Sequence, residues 1–257
     1  MTRPADEGAA HEPAAVGVDL GSANTRVWAS GRGTLHAANP APAAAYRSGP
    51  VVRGSIAEPE PMQVLLSGLV GGRRRPLPAG AVVVACRPVG TGSRAELALR
   101  EVMTTVFKPA RLLFIDTVRA AAIGSGAAPG PLLIADVGAH LTEVAVLAGG
   151  VIVAAHRRDV GLHDQAGGPD PNAAIVAAVT DLIGQVRRQP GHRQAVAAAV
   201  HGGLLLVGGG ATRPQLAARV AGAAGIAVRR PVAPHLAAVR GAGLAALAAL
   251  RRSAVGL

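Results

Sequence analysis

Two aspartates in this sequence end strand-like apolar segments and stand just before a glycine, a pattern suited to holding phosphate groups. The first, Asp19, is followed by Gly21 and Ser22, which let the backbone turn sharply and leave N–H groups open to an anion. Asn24 and Thr25 add short polar side chains after the turn. A carboxylate at this place suits a hydrated Mg²⁺ ion. An ordinary β-hairpin with a glycine turn is the alternative interpretation.

The same pattern recurs later in the chain. Residues 132–135 form an apolar segment that runs into Asp136, and Gly138 follows two residues later. Residues 142–147 are again strand-like. A third apolar segment, 204–207, is followed by three consecutive glycines, and only glycine lets the backbone approach a ligand closely at the start of a helix. For Asp136 the alternative is a carboxylate that only caps the end of a strand.

Two aspartate-bearing hairpins followed by a glycine-rich strand-to-helix turn, in that order, resemble the phosphate-one, phosphate-two and adenosine motifs of the actin-like ATPases. This superfamily includes the heat-shock chaperone ATPases and the sugar kinases, and within it the sequence is similar to MreB, the bacterial actin of cell shape. Residues 19–25 resemble its first phosphate loop, and residues 142–146 resemble the strand that closes its second. Residues 120–124 resemble its interdomain helix, and the whole resemblance spans about residues 15–250.

The resemblance implies an α/β fold of two actin-like lobes, each a ribonuclease H-like unit, with truncated outer subdomains. Residues 15–116 and 236–257 would form the first lobe and residues 117–235 the second, after a disordered tail at 1–14. Strands that alternate with helices through the first half of the chain favour the same layered architecture. The resemblance also implies that the last helix packs back onto the first lobe.

ATP and Mg²⁺ are the cofactors that the resemblance implies. One hairpin from each lobe would grip the phosphates with backbone N–H groups, while Asp19 and Asp136 would hold the Mg²⁺ ion through water molecules. The nucleotide-binding residues carried over from the motifs are Asp19, Gly21, Ser22, Ala23, Asn24, Thr25, Asp136, Gly138, Ala139, His140, Thr142, Gly208, Gly209 and Gly210.

The sequence departs from the family pattern at two places that bear on catalysis. In the second phosphate loop the family usually has glycines and a threonine, whereas this chain has Ala139, His140 and Leu141, so we expect crowding near the phosphate. The family's water-positioning glutamate falls at Thr117, whose hydroxyl cannot act as a general base. We expect the neighbouring Asp116 to point the wrong way along the helix. The sequence therefore predicts at most a weak ATPase.

Composition limits the class of partner. A chain of 257 residues buries roughly three quarters of its unfolded surface, which suits one or two domains. The formal net charge of +11 comes almost entirely from arginine, since Lys108 is the only lysine, and it favours anionic partners. Nucleic acid is disfavoured because the chain lacks the interleaved aromatic residues that stack on bases. Cys86 is the only cysteine, so we expect a buried thiol and no intramolecular disulfide.

The N-terminal residues do not resemble a secretory signal, because they include Asp6, Glu7 and Glu12 and lack an apolar core. No window of the sequence reaches the length of apolar residues needed to span a bilayer. We therefore expect a cytoplasmic protein, with peripheral contact to anionic membrane through its arginines.

Two helices are predicted from boundary signals. Ser93 and Glu96 have the spacing of a capping box, so the side chain of Ser93 should cap a helix that starts there. Asn172 is the expected N-cap of a longer amphipathic helix that Pro190 terminates.

From the resemblance we expect a bacterial actin-like cytoskeletal protein of the MreB or Mbl type that acts in cell shape or cell-wall assembly. Its partners would be further copies of itself or a full-length bacterial actin, together with the cell-wall synthesis machinery. One alternative is a small-molecule kinase of the same superfamily, although no inserted domain is large enough to shape a substrate pocket. The other alternative is a basic adaptor that binds anionic membrane or nucleic acid through arginine.

Overall fold

The computed structural model describes residues 14–40, 49–71, 77, 80–164, 170 and 172–254. Two five-stranded sheets organise them. We call the part built around the sheet within residues 15–116 the first lobe, and the part built around the sheet within residues 132–229 the second lobe. The tail predicted at 1–14 lies outside the described residues, apart from Ala14.

The first lobe is built on a mixed sheet. Its elements are β1 (Ala15–Leu20), β2 (Asn24–Ala29), β3 (Gly33–Ala38), β4 (Val51–Val52), β5 (Ser55–Ile56), α1 (Pro59–Gly71), β6 (Val82–Arg87), α2 (Ser93–Phe107) and β7 (Arg111–Asp116), followed by α3 (Thr117–Gly124). The sheet has the order β3-β2-β1-β6-β7, in which β1 is antiparallel to β2 and parallel to β6. Val16 and Val18 on β1 are fully buried and share a core with Met62 of α1 and Met103 of α2.

The second lobe repeats this arrangement. Its elements are β8 (Leu132–Val137), β9 (Thr142–Ala148), β10 (Val151–Arg158), α4 (Ala173–Arg188), α5 (Arg193–His201), β11 (Leu204–Val207), α6 (Pro214–Ala224) and β12 (Val228–Arg229), followed by α7 (Ala237–Ala254). The sheet has the order β10-β9-β8-β11-β12, so β8 takes the place that β1 has in the first lobe. Leu133 and Val137 share a core with Ile175 and Leu182 of α4.

Two helices, α3 and α7, lie between the sheets. They cross at glycines, since a Cβ added to Gly241 would lie 1.7 Å from the carbonyl oxygen of Ala120, and one added to Gly124 would lie 1.9 Å from that of Ala237. Small side chains from both lobes and both helices form one shared core here, including Ala15 and Ala145. The helices therefore join the lobes through backbone-to-backbone packing.

Strand alternation determines which residues of the hairpins face the space between the lobes. Successive side chains of a strand point to opposite faces of the sheet. Asp19 therefore shares a face with Ala15, and Asp136 shares one with Ile134, and these two apolar residues belong to the shared core. Both aspartates accordingly point into the cleft where the two lobes meet.

The capping box predicted at the start of α2 is wrong. The N-cap of this helix is Gly92, no side chain caps it, and Ser93 is already its first helical residue. The carboxylate of Glu96 instead binds the guanidinium of Arg87, a charge-assisted contact that is stronger than a neutral cap. Asn172 does occupy the N-cap of α4, but its side chain makes no capping hydrogen bond.

In the second lobe β10 ends at Arg158 and α4 begins at Ala173, and the described residues between them contain neither helix nor strand. Within the part of the chain that the structure describes, no helix combines the length and the apolar character needed to cross a membrane.

Candidate functional site

The turns that follow the two aspartates have matching backbone hydrogen bonds. In the turn between β1 and β2, the N–H of Gly21 donates to the carbonyl of Asn24 at 3.0 Å. In the turn between β8 and β9, the N–H of Gly138 donates to the carbonyl of Leu141 at 2.8 Å. The two hairpins are therefore equivalent parts of the two lobes.

Both turns open onto one cavity of about 160 Å³ between the lobes. Most of the residues predicted for a nucleotide site line it, and these are Asp19, Gly21, Ser22, Ala23, Asn24, Asp136, Gly138, Ala139, His140, Gly208 and Gly209. The two aspartates and the glycine-rich turn after β11, which are far apart in sequence, thus share a single space. Such a concave site with a few convergent polar groups is the usual form of a ligand-binding site.

Three predicted residues do not line the cavity. Thr25 is fully buried and its hydroxyl donates to Asn39 Oδ1 at 2.8 Å. Thr142 is also buried and its hydroxyl donates to the carbonyl of Val160 at 2.7 Å. Gly210 packs against the side chain of Val137, where an added Cβ would lie 2.5 Å from Cγ1. These residues support the walls of the site from behind.

Leu141 and Thr117, which the sequence placed in the second phosphate loop and at the position of the family's glutamate, also line the cavity. The other lining residues were not predicted as part of the site, and these are Leu20, Arg26, Gly54, Cys86, Pro88, Glu143, Leu162, His163, Pro234, His235 and Ala238. For two of them, the spacing from an aspartate in the sequence could have identified the residue. Arg26 follows Asp19 by seven residues and Glu143 follows Asp136 by seven, which is the spacing that puts two residues opposite each other in these hairpins. Residues that come from loops, such as Pro88 and Pro234, have no regular spacing in the sequence by which they could have been predicted.

Asp19 forms an ion pair with Arg26, its cross-strand neighbour. The distance from Arg26 Nη1 to Asp19 Oδ2 is 3.6 Å, and the two side chains are only 16% and 14% exposed. Burial raises the pKa of Asp19, and the positive charge of Arg26 counteracts that effect. The first hairpin thus carries its own positive charge at the floor of the cavity.

The second hairpin carries a second carboxyl group in the equivalent place. Glu143 lies opposite Asp136 in the strand register and is only 3% exposed. Burial, together with the nearby charge of Asp19, raises the pKa of Asp136 to about 7. Burial and the charge of Asp136 raise the pKa of Glu143 to about 8. At neutral pH this hairpin therefore holds protons that free carboxyl groups would have released.

The shelf formed by Gly208 and Gly209 requires glycine at its first position. Gly208 has a φ of +83°, and an added Cβ would lie 2.1 Å from Asp136 Oδ1. Gly209 is different, because its φ of −62° suits any residue and the nearest atom to an added Cβ is Leu162 Cδ1, at 3.4 Å. The shelf is thus formed by backbone and stays open above Gly209.

Ala139 and His140 are the residues expected to crowd a phosphate, and the loop after β10 determines where the ring of His140 lies. Both residues line the cavity, and His140 Nδ1 lies 2.9 Å from Asp164 Oδ1. The other oxygen of Asp164 accepts a hydrogen bond from the N–H of Gly161 at 2.8 Å. His140 is therefore held in place by the loop after β10, with its ring edge-on to that of His163.

Cys86 lies at the floor of the cavity and is buried, as the apolar run around it predicts. Burial, reinforced by the nearby carboxylates, raises the pKa of its thiol well above the usual value. Because the thiolate is the reactive form of cysteine, both the burial and the raised pKa disfavour reaction at Cys86.

A catalytic base for water is missing at the position where the resemblance places one. Thr117 lines the cavity but has only a hydroxyl. The preceding residue, Asp116, is not among the lining residues, and its carboxylate lies 3.5 Å from Arg87 Nε. Hydrolysis of a phosphoanhydride would therefore lack a carboxylate at this position to orient the water.

The residues present do not fit a Mg²⁺ ion at Asp19. Within the described ranges, no three histidine, cysteine, aspartate or glutamate side chains cluster in a way that could hold a metal ion. Mg²⁺ does not need three such ligands, because it can be held by one or two carboxylates together with water molecules that it retains. At Asp19 a hydrated ion would sit beside the guanidinium of Arg26, and two positive charges so close repel each other.

Solved structures with the same fold decide the architecture. MreB5 of Spiroplasma citri bound to ADP matches with a TM-score of 0.79 over 94% of this chain and 98% of that one, at 17% identity. The same protein bound to AMPPNP matches with a TM-score of 0.80 over 96% and 99% of the two chains, at 16% identity. This chain has the actin-like fold. A MamK double helical filament matches with a TM-score of 0.74 over 91% and 99%, at 18% identity.

The resemblance predicted from the motifs is thus confirmed at the level of the fold, and the two lobes described above have the arrangement of that fold. No protein-family model and no curated protein matches the sequence itself. The likeness to the solved structures is therefore one of fold, at 16–18% identity.

Proposed function

We propose that this protein is a nucleotide-binding, actin-like cytoskeletal protein of the MreB type that binds ATP in the cleft between its lobes. The observation that carries the proposal is the convergence of two equivalent glycine turns and a glycine shelf on one cavity. The N–H groups of Gly21 and Gly138 close their own turns and are not open to an anion, so the phosphates would bind to N–H groups of the other turn residues. The structural neighbours bound to ADP and AMPPNP support the same ligand class.

The size of the cavity indicates which part of the ligand it encloses. The cavity of about 160 Å³ is smaller than the roughly 300–1,000 Å³ of a typical small-molecule pocket. That space suits the phosphate chain, and the base and ribose would lie at the open mouth near Gly209. We expect weak binding for this reason, and slow hydrolysis because of the missing carboxylate at Thr117.

Binding is tested by isothermal titration calorimetry with ATP. We expect saturable binding by the native protein, and its loss in Gly209→Phe, because the new side chain enters the cavity without a backbone clash. Gly68→Phe is the matched control, since Gly68 is an exposed residue of α1 with nothing within 4 Å of an added Cβ. No saturable binding by the native protein, or equal binding by Gly209→Phe, would reject the proposal.

We propose further that the protein self-associates and acts in cell shape or cell-wall assembly in the cytoplasm, with the basic surface next to anionic membrane. The filament formed by its neighbour MamK supports self-association. Sedimentation of the purified protein with and without ATP tests this part. Protein that stays in the supernatant at all concentrations, alone and mixed with a full-length bacterial actin, would contradict it.

A further inference from the structure

We propose that Arg26 supplies the positive charge that a divalent cation would otherwise supply, so that the cavity binds the phosphates of a nucleotide without a metal ion. This inference rests on the proposed nucleotide site and adds to it the class of ligand, a metal-free nucleoside triphosphate. Three observations carry it: the position of Arg26 in the fold, the ion pair it makes, and the composition of the cavity wall.

The position of Arg26 follows from the register of the first hairpin. Asp19 on β1 pairs with Arg26 on β2, so their side chains leave the sheet on the same face. Trp28, two residues further on, shares that face and packs against α7 at Gly243, where an added Cβ would lie 2.4 Å from the indole ring. Arg26 is therefore held on the cleft side of the sheet, below the turn at Gly21.

The ion pair with Arg26 engages the carboxylate of Asp19, which is the group that a metal ion would bind. Asp19 Oδ2 already lies 3.6 Å from Arg26 Nη1, and both side chains are more than four-fifths buried. A hydrated Mg²⁺ ion at Asp19 would have to displace this guanidinium or tolerate it within a few ångströms. An arginine in this place does what the ion does, since it cancels the carboxylate charge and presents N–H donors to an anion.

Arg26 is the only arginine or lysine among the described residues that line the cavity. An added Cβ at Gly21 would lie 4.0 Å from Arg26 Nη1. The guanidinium is thus close to the first glycine turn. Its planar fork of donors matches the paired oxygens of a phosphate.

The second hairpin shows that the arrangement is specific to one lobe. The residue equivalent to Arg26 is Glu143, which faces Asp136 across β8 and β9. The same backbone position therefore carries a guanidinium in one lobe and a carboxyl group in the other. Within this pair of hairpins the positive charge comes from the first lobe alone.

The test is calorimetric titration with ATP in EDTA and again with excess Mg²⁺. We expect the native protein to bind ATP in EDTA with an affinity within about threefold of that in Mg²⁺. Arg26→Leu should lose about tenfold or more of its affinity in EDTA, the usual size of a charge-assisted contact. Mg²⁺ should restore part of that loss because Asp19 is then free to hold an ion.

Two further variants serve as controls. Arg26→Lys keeps the charge and should retain metal-free binding better than Arg26→Leu. Arg94→Leu removes the same charge from an exposed residue in the first turn of α2, outside the cavity, and should bind as the native protein does.

The inference and the proposed function fail in different ways. Native protein that binds ATP in Mg²⁺ but not in EDTA would overturn the inference and leave the nucleotide site standing. Arg26→Leu that binds ATP in EDTA as tightly as the native protein would also overturn it. Native protein that binds under neither condition would reject the nucleotide site and the inference together.

Discussion

The backbone N–H of Val89 in the first lobe donates a hydrogen bond of 2.6 Å to Oε1 of Glu143 in the second lobe. The bond is buried, and Glu143 also lines the cavity. Val89 lies in the loop after β6 and Glu143 lies on β9, so the contact joins that loop to the sheet of the second lobe. It lies next to the shared apolar core, whereas the contacts of Arg53 with Asp159 and Asp164 join the lobes at more exposed side chains.

Replacing Glu143 tests how much this link contributes to stability. Glu143→Ala leaves the N–H of Val89 buried without a partner, whereas Glu143→Gln keeps an amide oxygen as acceptor. Because neither new side chain titrates, we expect the free energy of unfolding of Glu143→Ala to lie about 1–3 kcal/mol below that of Glu143→Gln. Urea denaturation of the two variants at pH 6 measures the difference, and equal values would show that the hydrogen bond is not what matters.

The raised pKa values of the second hairpin predict how stability depends on pH. In the unfolded chain Asp136 and Glu143 have their ordinary pKa values of 3.8 and 4.5, whereas in the folded protein their pKa values are raised to about 7 and about 8. Between these limits the folded state binds more protons, so stability is greatest at the acid end and is lost as the pH rises from 5 to 8. Each proton held contributes about 1.4 kcal/mol per pH unit within its window.

The midpoint of urea unfolding at pH 5, 6, 7 and 8 measures this dependence. Asp136→Asn should flatten the curve up to pH 7, and Glu143→Gln should flatten it up to pH 8, because neither amide titrates. A native protein whose stability rises between pH 5 and pH 8 would refute the assignment.

The crossing of α3 and α7 should tolerate no side chain at Gly241. In Gly241→Ala the new Cβ would lie 1.7 Å from the carbonyl oxygen of Ala120, and backbone on the facing helix cannot yield as a side chain does. We expect the free energy of unfolding to fall by about 1–3 kcal/mol or more, as is typical of overpacking. Gly222→Ala in α6 is the control, since open space surrounds that position and the change should stabilise the helix by about 0.5–1 kcal/mol. Thermal unfolding of the two variants compares them.

A carboxylate introduced at Thr117 should restore hydrolysis. Thr117 lines the cavity, and a general base typically accelerates such a step by about 10²–10⁴-fold. We expect Thr117→Glu to release phosphate from ATP at least about tenfold faster than the native protein. Thr117→Gln has the same size but no base, so equal rates in the two variants would show that position 117 does not face the attacking water.

The sequence predicted the parts of the fold and site that repeat. Asp19 and Asp136 were found because each ends an apolar segment and precedes a glycine, and the glycine run after β11 stands out in the same way. The ion pair of Asp19 with Arg26 was missed because it depends on the register of the hairpin, which is set by the length of its turn. The partner of Glu143, the N–H of Val89, belongs to another lobe and leaves no pattern in the sequence.

Local signals also failed where a distant charge competed with them. Ser93 and Glu96 have the spacing of a capping box, but Arg87, at the end of β6, takes the carboxylate of Glu96. The competitor lies on a neighbouring strand, and its proximity appears only once the chain has folded.

The shared core around α3 and α7 has a consequence for how the molecule assembles. Ala15 and Val84 of the first lobe, Ile134 and Ala145 of the second, and Ala242 of α7 fill one interior. A fragment ending at residue 116 would expose its part of this core to water. The fragment that begins after residue 116 would do the same. We therefore expect the two lobes to unfold together, so that the chain melts in one cooperative step.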